Sequence, residues 1–222
     1  MSYQIAIDGP AGAGKSTIAK AVAKELSFVY VDTGAMYRAM ALLCIREGLD
    51  KTDEEAVSSS CEKAVVEIKY QDGAQVVFLN GENVNGLIRT QEVGDMASAI
   101  SVYGRVREKL VRLQQELAKK VDVVMDGRDI ASCVLPDADL KIYLDADVSV
   151  RAKRRYDELV AKGEKPCLTR IEEEVKERDY RDMHRDISPL VRVPEAMLVD
   201  SSYMTIEEVK KCIIDAFKGK TK

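Results

Sequence analysis

The run Gly9-Pro10-Ala11-Gly12-Ala13-Gly14-Lys15-Ser16, followed by Thr17, fits the spacing G-x-x-x-x-G-K-[ST]. Glycines so placed let successive backbone N–H groups curl around a polyphosphate, while the lysine bridges the β- and γ-phosphates and the serine hydroxyl offers an oxygen to Mg2+. A second set of anion-binding groups is arginine: Arg38, Arg107 and Arg128, then Arg178, Arg181 and Arg185 at helical spacing. At 100° per residue, Arg178, Arg181, Asp182 and Arg185 fall within an arc of about 100°, so one helix face can close over a phosphate. His184 is the single histidine, and the five cysteines include no CxxC pair. A histidine-based triad and a multi-histidine metal site are thereby excluded as the main chemistry, and the thiols are expected to be reduced. No general base is evident, and none is needed if the attacking group is already anionic.

These residues need elements to hold them. Residues 3–7 read as a buried strand, the glycine run as the turn out of it, and Ile18, Val22 and Leu26 as the inner face of a helix. Residues 28–31 form a second strand, and Asp32, Thr33 and Gly34 start a helix carrying Met36, Met40 and Leu43. Asp32 suits either a helix cap or the orientation of a magnesium-bound water. Residues 65–70 and 75–79 flank an Asp72-Gly73 turn, with Asn80-Gly81 as a second turn, and predict a small antiparallel meander. Thr90 starts a helix that Gly104 interrupts, after which Val106, Leu110, Leu113 and Leu117 keep helical spacing. Largely apolar runs at 121–125 and 140–144, each with one charged residue, Asp122 and Lys141, predict central parallel strands, 197–199 a fifth, and Thr205 the cap of a last helix. Five strands alternating with helices predict a doubly wound α/β sheet whose ligands sit beyond the carboxyl ends of the strands.

Composition narrows the partners. With 222 residues, 46% of them hydrophobic, the chain can bury a core of its own, and a net charge of −4 gives no global positive field for a nucleic acid. No basic leader and no apolar run of spanning length is seen, so the expectation is a cytoplasmic protein without a membrane partner. Residues 151–192 hold 22 charges, 12 basic and 10 acidic, and predict a solvated helical pair or a mobile flap.

With these blocks in hand, the sequence resembles the bacterial cytidylate kinases, a branch of the nucleoside monophosphate kinases. The resemblance runs through the phosphate loop, the Asp32-to-Arg38 block, Ile88-Arg-Thr-Gln-Glu-Val93, Asp126-Gly-Arg-Asp129, and the stretch from Lys176 to Arg185. It implies a five-stranded core (1–32, 102–150 and 186–222), a monophosphate-binding insert (33–101) and a helical lid (151–185) within one kinase domain. It implies ATP at residues 9–17, with Mg2+ reached through Ser16. It also implies CMP or dCMP read by Thr33, Ser98, Arg107 and Asp129, with Arg38 and Arg128 at the phosphate, Arg178 and Asp182 by the sugar, and Arg185 reaching phosphate. Lys15, Arg128, Arg178 and Arg185 would carry the charge of the reaction, with Arg154 and Arg155 as lid candidates by looser matching. A monomer transferring the ATP γ-phosphate to CMP or dCMP is expected. A kinase for UMP or a hydroxylated metabolite, and an ATP-binding switch without transfer, stand as alternatives.

Overall fold

The computed structural model of the protein describes residues 2–71 and 74–221; the expected Asp72-Gly73 turn lies outside them. The chain forms two compact units, Met1–Tyr30 with Lys120–Lys222, and Val31–Lys119.

In the first unit the strands are β1 (Gln4–Asp8), β2 (Val29–Asp32), whose last two residues enter the second unit, β6 (Val123–Gly127), β7 (Leu140–Asp145) and β8 (Met197–Asp200). They make one parallel sheet in the order β2-β6-β1-β7-β8, with Asp8 opposite Gly127 of β6 and Tyr143 of β7. The carboxyl ends of the central strands therefore finish at one level, where connections run to opposite sides of β1. The helices α1 (Lys15–Leu26) and α8 (Ile206–Lys220) bury Ile18, Val22, Val209, Ile213 and Phe217 with Ile5, Ile7, Ile142 and Leu144. Burying each such large side chain contributes about 1.5–3 kcal/mol. Thr205 caps α8 as expected, in a reciprocal capping box with Glu208.

The charge-rich segment is the helical pair α6 (Val148–Ala161) and α7 (Leu168–His184). It has a narrow apolar seam, Ala152, Ile171 and Val175, flanked by Val148, Tyr156 and Leu159. Its outer faces carry i,i+4 ion pairs such as Arg170–Glu174 and Lys176–Glu172.

The second unit contains α2 (Thr33–Arg46), α3 (Glu54–Lys63), the antiparallel strands β3 (Val66–Gln71), β4 (Ala74–Leu79) and β5 (Glu82–Asn83), then α4 (Gln91–Ile100) and α5 (Gly104–Ala118). The meander is as expected: Asn80 and Gly81, both at positive φ, make the two-residue turn from β4 to β5. This unit runs past the expected insert of 33–101, because Val106 and Leu110 of α5 belong to its apolar core with Met36, Met40, Val57, Leu79 and Ile88. Helix α3 is an addition to the elements expected from sequence, although its signals are local: Asp53 caps it, and Val57 and Cys61 are spaced i,i+4.

Candidate active site

Past Asp8 the chain turns on Gly9, where a β-carbon would lie 1.9 Å from the Leu144 carbonyl oxygen, so no larger residue fits. The loop ends at Gly14, the N-cap of α1, and the helix opens at Lys15 with its first backbone N–H groups directed at any anion held there. Lys15 is buried, and its Nζ donates to the Pro10 carbonyl at 2.6 Å, so the loop closes on its own lysine. Burial, and then the positive charge of Arg128 and Arg178, hold the Lys15 ammonium well below the usual lysine range against the pull of Asp126 and Asp182.

Behind the loop, Ser16 Oγ donates to Asp126 Oδ2 at 2.8 Å, and the Tyr30 hydroxyl donates to Oδ1 at 2.8 Å. Asp126 lies in β6 opposite Ile7, which is why a strand-end carboxylate meets the start of α1. Asp8 is also buried and accepts from the backbone N–H groups of Ile130 and Ala131 at 2.8 and 2.7 Å, at the head of a π-helical turn, Ile130–Val134. Burial pushes the Asp8 carboxyl up to about 6, with the two backbone donors pulling the other way.

The arginines gather around carboxylates. Arg128 Nε donates to Asp182 Oδ2 at 2.7 Å, and Arg185 Nη2 lies 3.6 Å from Asp129 Oδ1. Burial opposes the charge on Asp182, but the adjacent Arg128 guanidinium wins and holds its carboxyl below the ordinary aspartate value. On α7 the buried stripe is Ile171, Val175, Asp179 and Asp182, whereas Arg181, which the helical arc grouped with Arg178 and Arg185, is exposed. Arg151 Nη1 pairs with Asp179 Oδ2 at 2.6 Å and also donates to the Ala11 carbonyl at 2.9 Å, while Nε donates to the Ala146 carbonyl. The first turn of α6 is in this way tied to the phosphate loop. Arg154 donates to the carbonyl of Ser201, a buried residue whose hydroxyl lies 3.4 Å from the Ala13 carbonyl. Arg155 pairs with Glu158 at 3.4 Å on an exposed part of α6.

In the second unit, Thr33 is the buried first residue of α2, and Arg38 lies one turn on. Helices α2 and α4 pack together, and Arg38 Nη1 stands 3.3 Å from where a β-carbon on Gly94 would be. Ser98 lies further along α4, its carbonyl accepting from the Ser101 hydroxyl. Buried Arg107 donates to the Ser101 carbonyl at 3.1 Å, with its guanidinium 5.9 Å from the centre of the Tyr37 ring.

The first unit thus brings together Lys15, Ser16, Arg128, Asp129, Arg178, Asp182 and Arg185, and the second holds Thr33, Arg38, Ser98 and Arg107. Asp8, Arg151 and Asp179 are not among the residues expected at the site from sequence, and Asp126 enters there only within the block Asp126-Gly-Arg-Asp129. For Asp8 and Asp126 a signal existed, since each directly follows three apolar strand residues, Ile5–Ile7 and Val123–Met125. For Arg151 none did, because the two partners that tie it to the site, Ala11 and Asp179, lie 140 and 28 positions away.

A sequence model described as cytidylate kinase matches residues 5–219. A cytidylate kinase of Lactobacillus gasseri is 47% identical over 219 residues, covering 99% of this chain and 95% of its own. A cytidylate kinase of Bacillus cereus is 46% identical over 215 residues, covering 97% and 96%. Among solved structures, a shikimate kinase from Acinetobacter baumannii superposes with a TM-score of 0.50 at 15% identity, covering 99% of this chain and 94% of that one, a likeness of fold alone.

Proposed function

Because the chain belongs to the cytidylate kinase family, matched over nearly its whole length, we propose that the groups assembled at the phosphate loop and on α2 and α4 carry out that family's reaction. The protein is an ATP-dependent kinase that transfers the γ-phosphate of ATP to CMP or dCMP, giving CDP or dCDP and ADP. The alternatives, another small acceptor or a switch without transfer, find no support in these relatives.

The observation that carries the residue assignments is the convergence of Lys15, Ser16, Asp126 and the Arg128–Asp182 pair at the carboxyl ends of β1 and β6. In our reading, ATP lies along residues 9–17. Its phosphates draw Lys15 Nζ away from the Pro10 carbonyl, and the anionic oxygens restore the charge that burial disfavours. Ser16 Oγ and Asp126 Oδ2, two oxygens 2.8 Å apart at a helix start, suit Mg2+, a hard cation that takes few protein oxygens beside substrate phosphates. When bound, Mg2+ would neutralise charge on the phosphate oxygens. Arg128, Arg178 and Arg185 neutralise the phosphoryl group in flight, with Arg154 behind the loop and Arg155 brought in only by movement of α6. The nucleophile is a CMP phosphate oxygen, already anionic, so this chain supplies position and charge rather than a base.

For the acceptor, Arg38 takes the phosphate, and Thr33, Ser98 and Arg107 read the cytosine. Arg178 and Asp182 hold the sugar, Arg185 reaches the phosphate, and Asp129 accepts from the cytosine N4 amino group. We further propose that the enzyme works as a cytoplasmic monomer with no nucleic-acid or membrane partner; among the described residues no helix is long and apolar enough to cross a membrane. The test of the base assignment is kcat/KM for CMP and UMP in the parent and in Asp129→Asn. Uracil presents O4 where cytosine has its amino group, so the parent should favour CMP by roughly tenfold or more, and the amide should narrow that ratio by impairing CMP. An unchanged ratio removes Asp129 from the reading of N4.

A further inference from the structure

Asp32 joins β2 to α2, and it is held from four directions. Its Oδ1 accepts from the Ala35 N–H at 2.9 Å and caps α2, while its Oδ2 accepts from Arg89 Nη2 at 2.6 Å. Those bonds fix the carboxylate. The backbone is fixed separately by the side-chain amide of Gln75 in β4: the Asp32 N–H donates to Gln75 Oε1 at 2.7 Å, and Gln75 Nε2 donates to the Asp32 carbonyl at 3.2 Å. One primary amide therefore satisfies both peptide groups that flank a single α-carbon, as a neighbouring strand would.

The consequence is mechanical. The N–H of Asp32 belongs to the peptide before it and the carbonyl to the peptide after it, so φ −79° and ψ 93° at this joint cannot change without breaking one of the two bonds. Gln75 is itself anchored. Its carbonyl accepts from Asn85 Nδ2 at 3.0 Å, and Asn85 Oδ1 accepts from the Val77 N–H at 2.9 Å, so the amide is carried on a braced strand. Downstream of the joint, the direction in which α2 leaves decides where Thr33 stands. It also decides whether Arg38 reaches the gap that Gly94 leaves on α4, which closes to 3.3 Å for a β-carbon.

We propose that Gln75 is a positioning residue for the acceptor nucleotide: the meander uses its amide to hold the Asp32 backbone at the start of α2, and hence the place of Thr33 and Arg38 within this unit. This rests on the reading of α2 as a CMP-binding element. Gln75 touches no substrate in this account. It acts through Asp32, so its loss should weaken CMP binding and leave ATP binding alone.

The experiment measures KM for CMP and for ATP, kcat, the melting temperature, and CMP affinity by calorimetry without ATP. The proteins are the full-length parent, Gln75→Met, Gln75→Glu, Arg46→Ala and Arg38→Ala. Gln75→Met removes both bonds at similar volume and should raise the CMP KM and dissociation constant about tenfold, with the ATP KM within twofold of the parent. Gln75→Glu keeps the acceptor for the Asp32 N–H but sets a carboxylate oxygen against the Asp32 carbonyl, and should also raise the CMP constants; it keeps the proposal testable if the methionine variant does not fold. Arg46→Ala removes the exposed pairing of α2 with Glu82 of β5, loosening the same meander at the far end of the helix, and should leave the CMP values unchanged. A CMP affinity unmoved in both Gln75 variants would overturn the proposal. So would CMP and ATP constants that worsen together with the melting temperature, or an Arg46→Ala effect as large as that of Gln75→Met. Arg38→Ala separates the layers: if it leaves CMP binding intact, the reading of α2 falls and the positioning role with it. If it impairs CMP binding while the Gln75 variants do not, only the positioning role falls.

Discussion

Asp8 carries a cost that follows from its place. Its carboxylate is buried beneath the turn after β6, and the two backbone donors it satisfies do not fully offset desolvation, so its pKa stands at about 6 against the ordinary 3.8. A carboxyl whose folded pKa is raised binds more protons in the folded than in the unfolded state between those two values. Its contribution to stability is fully present below about pH 4 and is lost as pH rises through 6. The loss amounts to at most about 3 kcal/mol. Asp8→Asn has no such titration. Measured by urea unfolding from pH 4 to 7.5, the stability difference of parent minus variant should shrink as pH rises through 6 and be flat above 7; a difference independent of pH would contradict the burial account. Lys15 has the mirror-image problem: burial and two arginines disfavour its charge, so the lysine is kept at this position at a cost to the fold and for the anion it meets.

At the scale of elements, what the sequence made legible was periodicity and punctuation. The phosphate loop, the apolar runs of β1, β6 and β7, the Asn80-Gly81 turn and the Thr205 cap each rest on neighbours within a few positions, and each lies where those neighbours put it. What local pattern does not carry is the burial of charge. Residues 151–192 read as a solvated segment, and most of it is one. Yet Arg151, Asp179 and Asp182 are buried, and although Asp179 and Asp182 continue the helical stripe of Ile171 and Val175, their charge reads as solvent-facing until the partners Arg151 and Arg128 are seen, while Lys153, Arg181 and Glu177 beside them are exposed. The seam between α6 and α7 is correspondingly thin, with Ala152, Ile171 and Val175 as its buried apolar residues. Few apolar contacts mean a low local opening free energy. Amide hydrogen exchange over Val148–Ala161 and Leu168–His184 is therefore expected to be fast in the free protein and to slow at least tenfold with ATP and CMP together, as for a lid that closes on both substrates. Equal exchange with and without the nucleotides would remove the lid from the account.

Across the whole molecule, the division of labour follows the two compact units. One carries the parallel sheet, the phosphate loop and the charged helical pair; the other carries α2, α4 and the meander, with a core of its own around Met36, Met40 and Leu110. The net charge of −4 leaves the binding of anions to local groups, Lys15 and the arginines, rather than to a general positive field. The central claim is that these groups transfer phosphate specifically to a cytosine nucleotide. It is tested most directly by mixing ATP and Mg2+ with CMP, dCMP, UMP, AMP and GMP in turn, and measuring the diphosphates formed by the parent and by Lys15→Ala. The account predicts CDP and dCDP as the main products, UDP slower by roughly tenfold or more, and a fall of about 10²–10³ in kcat for Lys15→Ala without a lower melting temperature. UDP, ADP or GDP formed from its monophosphate as fast as CDP from CMP, or near-normal turnover in Lys15→Ala, would contradict it.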